Sequence, residues 1–68
     1  MALEAMREAR KAVGLTQAQL AHDVGVTRQT ISQVESGDYN PTLQLCLKIA
    51  HRLGSDLNTL FWKEAPHG

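Results

Sequence analysis

Apolar residues recur along the chain at steps of three and four, and the pattern is broken repeatedly by glycine or by a polar cluster. The first segment runs from about Leu3 to Val13. It sets Met6, Ala9 and Val13 on one face and is closed by Gly14. In "TQAQLAHDVG", Thr16 is a natural N-cap, and Gln19 three residues later completes a capping box. Leu20, Ala21 and Val24 then face inward, His22 faces out, and Gly25 ends the segment. Gly25, Val26 and Thr27 form a tight connection, Thr27 caps a third helix from Arg28 to Ser36, and Gly37 stops it. The "DYNPT" stretch is a turn cluster, after which Thr42 caps a fourth helix from Leu43 to Leu53. Ser55 is expected to cap a final short helix carrying Leu57, Leu60 and Phe61. No stretch alternates as a strand does, and a short C-terminal edge strand in "WKEAPHG" is the one β element left open. The fold expected is all-α: one domain over residues 1–68, built of five short helices.

The third helix has an unusual composition. At 100° per residue, Ile31 and Val34 point one way, while Gln29, Ser32, Gln33 and Ser36 cluster on the other side with Arg28 on their flank. The outward face is thus nearly all hydrogen-bonding groups and carries little charge. That chemistry suits base edges in a DNA major groove: glutamine pairs in bidentate fashion with adenine N6/N7, and arginine with guanine O6/N7. A solvated helix face carries the same residue types, so the face alone leaves the two readings about even. The preceding residues tip the balance. A short capped helix, a turn holding Gly25 and a second helix make a helix-turn-helix, with Ala21 small where the helices cross.

The stretch "LTQAQLAHDVGVTRQTISQVESGDYNPTLQLCLKIAHRLGSDLNTLFW" resembles the Cro and lambda-repressor family of helix-turn-helix regulators, often called the XRE family. It looks most like the small stand-alone members. The likeness runs from about Met6 to Trp62, with the helix-turn-helix proper at residues 17–36 and a dimerisation region at about 43–64. It implies a compact five-helix domain that binds double-stranded operator DNA as a homodimer, with palindromic sites expected. It implies base-reading roles for Arg28, Gln29 and Gln33, with Thr27, Thr30 and Ser32 nearer the backbone. It implies a phosphate contact for Gln17, at a helix start where N–H groups also point. Asn40 and Thr42 match the loop that touches the backbone across the groove; both residue types also serve as turn and cap residues. The family carries an Arg–Glu pair at positions matching Arg10, on the inward side of the first helix, and Glu35, at the border of the buried face. Both are read as structural rather than DNA-contacting.

Composition qualifies this picture. Seven basic and seven acidic residues cancel, so the strongly basic footprint of many nucleic-acid binders is missing. Binding then leans on neutral donors and on two copies acting together. With 68 residues, a single core is marginal. The fourth helix nevertheless has an apolar arc of about 200°, from Leu45 through Ile49, Leu53 and Cys46 to Leu47, and "LNTLFW" adds more. Leu45, Ile49, Leu60, Phe61 and Trp62 are therefore expected at a two-fold interface.

Other functions find less support. Cys46 stands alone, which excludes an internal disulfide framework and suits a reducing compartment. No apolar run is long enough to cross a membrane and no signal segment follows Met1, so a cytoplasmic location is expected. Cys46 and His51 point about 140° apart on their helix, and His22 and His67 lack metal-ligand spacing; no enzyme, no metal, no cofactor and no small-molecule ligand is expected. The rival reading is a protein-interaction module, such as an antitoxin, built on the same fold.

Overall fold

Threonine hydroxyls start three of the helices, and each does so with its own neighbours. In the computed structural model, which describes residues 3–62, Thr16 Oγ1 accepts the Gln19 N–H at 3.0 Å while Gln19 Oε1 accepts the Thr16 N–H at 2.9 Å. This closed capping box opens α2, Gln17–Val24. Thr27 Oγ1 accepts the Thr30 N–H at 3.2 Å to open α3, Arg28–Ser36. Thr42 Oγ1 accepts the Leu45 N–H at 3.1 Å to open α4, Leu43–Arg52. Such a cap is worth about 1 kcal/mol, because it satisfies an N–H that the helix cannot. The first helix, α1, Glu4–Ala12, has no side-chain cap. The described residues close with a π-helical turn, Asn58–Trp62.

Gly25 makes the corner between α2 and α3. Its φ of 83° lies in the left-handed region, where a side chain is strained. From there its N–H reaches the Ala21 carbonyl at 2.9 Å, and the Val26 N–H reaches the same oxygen at 2.9 Å. The helices can therefore turn within three residues. Met6, Leu20, Ile31, Val34 and Ile49 form the fully buried centre. α2 packs on α3 and on α4, while α1 packs on α3 and on the closing turn. Burying each of these large aliphatic side chains contributes about 1.5–3 kcal/mol, which holds the short α3 in place despite its polar outer face.

Three expectations need correction. Val13 is 46% exposed, because α1 stops at Ala12 and the inward position of its last turn is taken by Arg10. The closing turn is capped by Asp56, not Ser55: Asp56 Oδ1 accepts the Thr59 N–H at 2.8 Å. Ser55 instead gives its N–H to Ala50 at 2.9 Å and so belongs to the end of α4. Leu45, Ile49 and Leu60, expected at a two-fold interface, lie in the protomer's own core, with exposures of 8%, 0% and 2%. Among the described residues there is no strand. The tail considered for an edge strand, residues 63–68, and the side chain of Trp62 lie outside the described residues.

Candidate nucleic-acid interface

α3 is built as a face presented outward from a locked base. Ile31, Val34 and Glu35 are buried beneath it. Glu35 is the point at which three helices meet. Arg10 Nε of α1 donates to Glu35 Oε2 at 2.6 Å, and Arg10 Nη2 donates to Oε1 at 3.3 Å. Gln17 Nε2, at the start of α2, donates to the same Oε1 at 3.0 Å. Arg10 Nη1 goes to the Leu15 carbonyl at 2.8 Å, and the Leu3 N–H donates to the Glu35 carbonyl at 2.7 Å. Arg10 and Glu35 are 7% and 6% exposed. A buried ion pair of this kind fixes geometry more surely than it adds stability.

On the other side of α3, Arg28, Gln29, Gln33 and Ser36 are exposed, and Thr30 and Ser32 are half-buried. Gln29 and Gln33 are one turn apart and stand side by side. Thr27 and Thr30 are partly occupied: their hydroxyls lie 3.0 Å apart and close the helix start. The Ser36 hydroxyl lies 3.1 Å from the Gln33 carbonyl and 3.1 Å from the Asp38 carboxylate. The loop after α3 is tied back to it, since the Asp38 and Tyr39 N–H groups both reach the Gln33 carbonyl, at 2.9 and 3.2 Å. That places the exposed Asn40 beside the end of α3, while the Thr42 hydroxyl serves as the cap of α4.

Gln17 differs from what the sequence suggests. Its amide is half-buried and turned inward onto Glu35. A primary amide carries two N–H donors, so one remains for an outward partner. No local spacing signals this contact, because Gln17 and Glu35 are brought together only by the packing of α2 on α3.

The structure also shows which apolar residues on and beside α4 remain exposed; of these, Leu47 belongs to the arc expected at an interface, whereas Leu43 and Tyr39 do not. Leu43 is 60%, Leu47 50% and Tyr39 42% exposed. Leu45, Cys46, Ile49 and Ala50 of α4 face the core, and Leu43 and Leu47 do not. A groove of about 440 Å³ runs beside Leu43, with Val34, Pro41, Cys46 and Phe61 among its lining and, among the described residues, no charged side chain in it. Phe61 is half-buried against the core. The Cys46 thiol is pushed up by burial, away from the reactive thiolate. Gln44 and Lys48 occupy a different face of α4, towards the α2–α3 turn.

A capped helix, a glycine turn and a second helix with a polar outer face define a helix-turn-helix DNA-binding domain. The Helix-turn-helix family model matches residues 6–60. The chain is 42% identical over 59 residues to an uncharacterised helix-turn-helix-type transcriptional regulator of Bacillus subtilis, YgzD, covering 87% of this chain and 89% of that one. It is 35% identical over 57 residues to the cryptic phage CTXphi transcriptional repressor RstR of Vibrio cholerae, covering 84% of this chain and 51% of that repressor. Among solved structures it resembles the restriction-modification controller protein C.AhdI from Aeromonas hydrophila, with a TM-score of 0.78 and 38% identity, over 85% of this chain and 88% of that one. The chain belongs to the XRE-type helix-turn-helix family of DNA-binding transcription regulators. No helix among the described residues is long and apolar enough to cross a membrane.

Proposed function

We propose that this protein is a cytoplasmic transcriptional repressor, without catalytic activity of its own, that binds a palindromic operator as a homodimer with α3 in the major groove. The observation that carries the reading is the outer face of α3. Arg28, Gln29 and Gln33 stand exposed on a helix whose inner face is fixed by Ile31, Val34 and the Glu35 network. Arginine and glutamine are the residues suited to guanine and adenine edges. The repressor role is supported by the likeness to RstR.

The two copies meet through Tyr39, Leu43 and Leu47, with Phe61 beside them. A two-fold contact brings identical groups together, and the groove beside Leu43 presents, among the described residues, no charge to repel its twin. The neutral chain gains a second set of DNA contacts from the pairing. The same apolar edge also favours a second reading, in which another protein such as a toxin covers it; a chain that stays monomeric at micromolar concentration would support that reading. The test of the main proposal is selection of bound sequences from random duplex DNA. Enrichment of an inverted repeat supports it, and recovery of no shared sequence overturns it.

A further inference from the structure

A second groove, of about 220 Å³, lies beside the helix-turn-helix corner and is not used by the base-reading face. Gly25 and Val26 of the corner line it on one side; Tyr39, Thr42, Gln44 and Lys48 line it on the other. Gln44 and Lys48 are four residues apart on one exposed face of α4. Among the described residues, no carboxylate lines this groove. Of the cations among the described residues, Arg7 is paired with Glu4, Arg10 with Glu35 and Arg52 with Asp23. Lys48 has no ion-pair partner among the described residues, and the same is true of Arg28 at the start of α3 and of Lys11. An unneutralised ammonium and a side-chain amide thus flank the corner from which the recognition helix starts.

We propose that this groove takes one phosphate of the DNA backbone, with Lys48 supplying the charge and the Gln44 amide a hydrogen bond. The proposal rests on the DNA-binding reading of α3 and adds a contact on the α4 side of that helix. Lysine serves phosphate as a point charge, and a long side chain one turn into α4 can follow the groove to the corner. A backbone phosphate is the occupant that fits. One cation suffices for a singly charged diester whose position is already set by α3, whereas a free phosphate dianion would rely on this cation alone. In a chain of zero net charge, a single such contact is a large share of the electrostatic term.

The experiment measures the affinity of the intact protein for a duplex taken from the selected pool, as a function of salt, by fluorescence anisotropy. Each phosphate neutralised adds about 0.9 to the slope of log affinity against log salt. Lys48→Gln is expected to lower that slope by about 0.9 per bound copy, so that a fourfold rise in salt costs each copy about 3.5-fold less affinity than in wild type. Matched and mismatched duplexes should weaken alike, and Lys48→Arg should restore the slope. In phosphate-ethylation interference, one phosphate per half-site should cease to matter in Lys48→Gln. An unchanged slope and an unchanged ethylation pattern, in a protein that still binds its duplex, overturn the Lys48 proposal and leave the α3 reading standing. Wild type that binds no duplex at all overturns both. Protection of the Lys48 amine from acetylation by millimolar inorganic phosphate, with the slope unmoved by Lys48→Gln, identifies a free-phosphate site and also overturns the proposal.

Discussion

Gln17 and Glu35 lie 18 positions apart in sequence, yet the Gln17 amide donates to Glu35 at 3.0 Å, on the carboxylate oxygen that also faces Arg10 Nη2. The residue at the start of α2 and the buried anchor of α3 are therefore one unit. The angle between the two helices of the helix-turn-helix, and hence the presentation of Arg28, Gln29 and Gln33, is set by a carboxylate that solvent scarcely reaches.

Removing that carboxylate alone leaves Arg10 buried and unpaired. Glu35→Ala is expected to destabilise the protein by about 3–5 kcal/mol, read from denaturant midpoints. Arg10→Met combined with Glu35→Leu should cost clearly less than the sum of the two single changes, since no charge is then stranded. A Glu35→Ala protein that melts with wild type would contradict the burial described here.

Gln29→Ala and Gln33→Ala remove exposed amides and should leave stability within about 0.5 kcal/mol of wild type. On DNA each should cost about 1–3 kcal/mol and relax preference at one base pair per half-site. Competition gel shifts with single-base variants of the selected site check this. Preserved discrimination in both variants would mean that another face reads the bases.

Leu43 and Leu47 allow the proposed dimer to be tested apart from folding. Both are at least half exposed, so Leu43→Lys with Leu47→Lys should leave the protein cooperatively folded, its melting temperature lowered only by the lost dimer coupling, while shifting sedimentation from dimer to monomer. Ile49→Ala, at a fully buried position on the same helix, should cost about 2–5 kcal/mol through the cavity it leaves. Sedimentation of the double lysine variant as a dimer would place the contact elsewhere.

Cys46 gives a pH signature. Burial raises its thiol above the ordinary value, so the folded state binds that proton more tightly than the unfolded chain does. The resulting stability is fully present below the ordinary thiol pKa of about 8.5. It is lost as pH rises from there through the raised value. Denaturation curves taken across that alkaline window should fall less steeply for Cys46→Ala than for wild type. The native thiol should also react slowly with a disulfide reagent. Rapid native labelling at neutral pH would show that the thiol is open to solvent.

What the sequence made legible was local. Thr16, Thr27 and Thr42 announce their helices because a cap bonds only a residue two or three places on, and the Gly25 corner follows from one backbone angle. The orientation of α3 followed from its period, since Ile31 and Val34 leave one way to pack it. Tertiary choices were hidden. Whether Ser55 or Asp56 caps the closing turn depended on Ala50 claiming the Ser55 N–H. The arc of α4 revealed a surplus of apolar surface, but only packing shows that Leu45 and Ile49 serve the core while Leu43 and Leu47 stay outside. Lys48 passed unnoticed because the groove it lines is assembled from the α2–α3 corner, the loop and α4 together.

The central claim, that two copies place two α3 faces in successive major grooves, is tested most directly by hydroxyl-radical footprinting on the selected duplex. Wild type should protect two patches on one face of the DNA, with centres about one helical turn, or roughly 34 Å, apart, and the Leu43→Lys, Leu47→Lys protein should lose both together at concentrations where wild type is bound. A single isolated patch at saturating wild-type protein, or two patches that the double variant fills independently, would contradict the account.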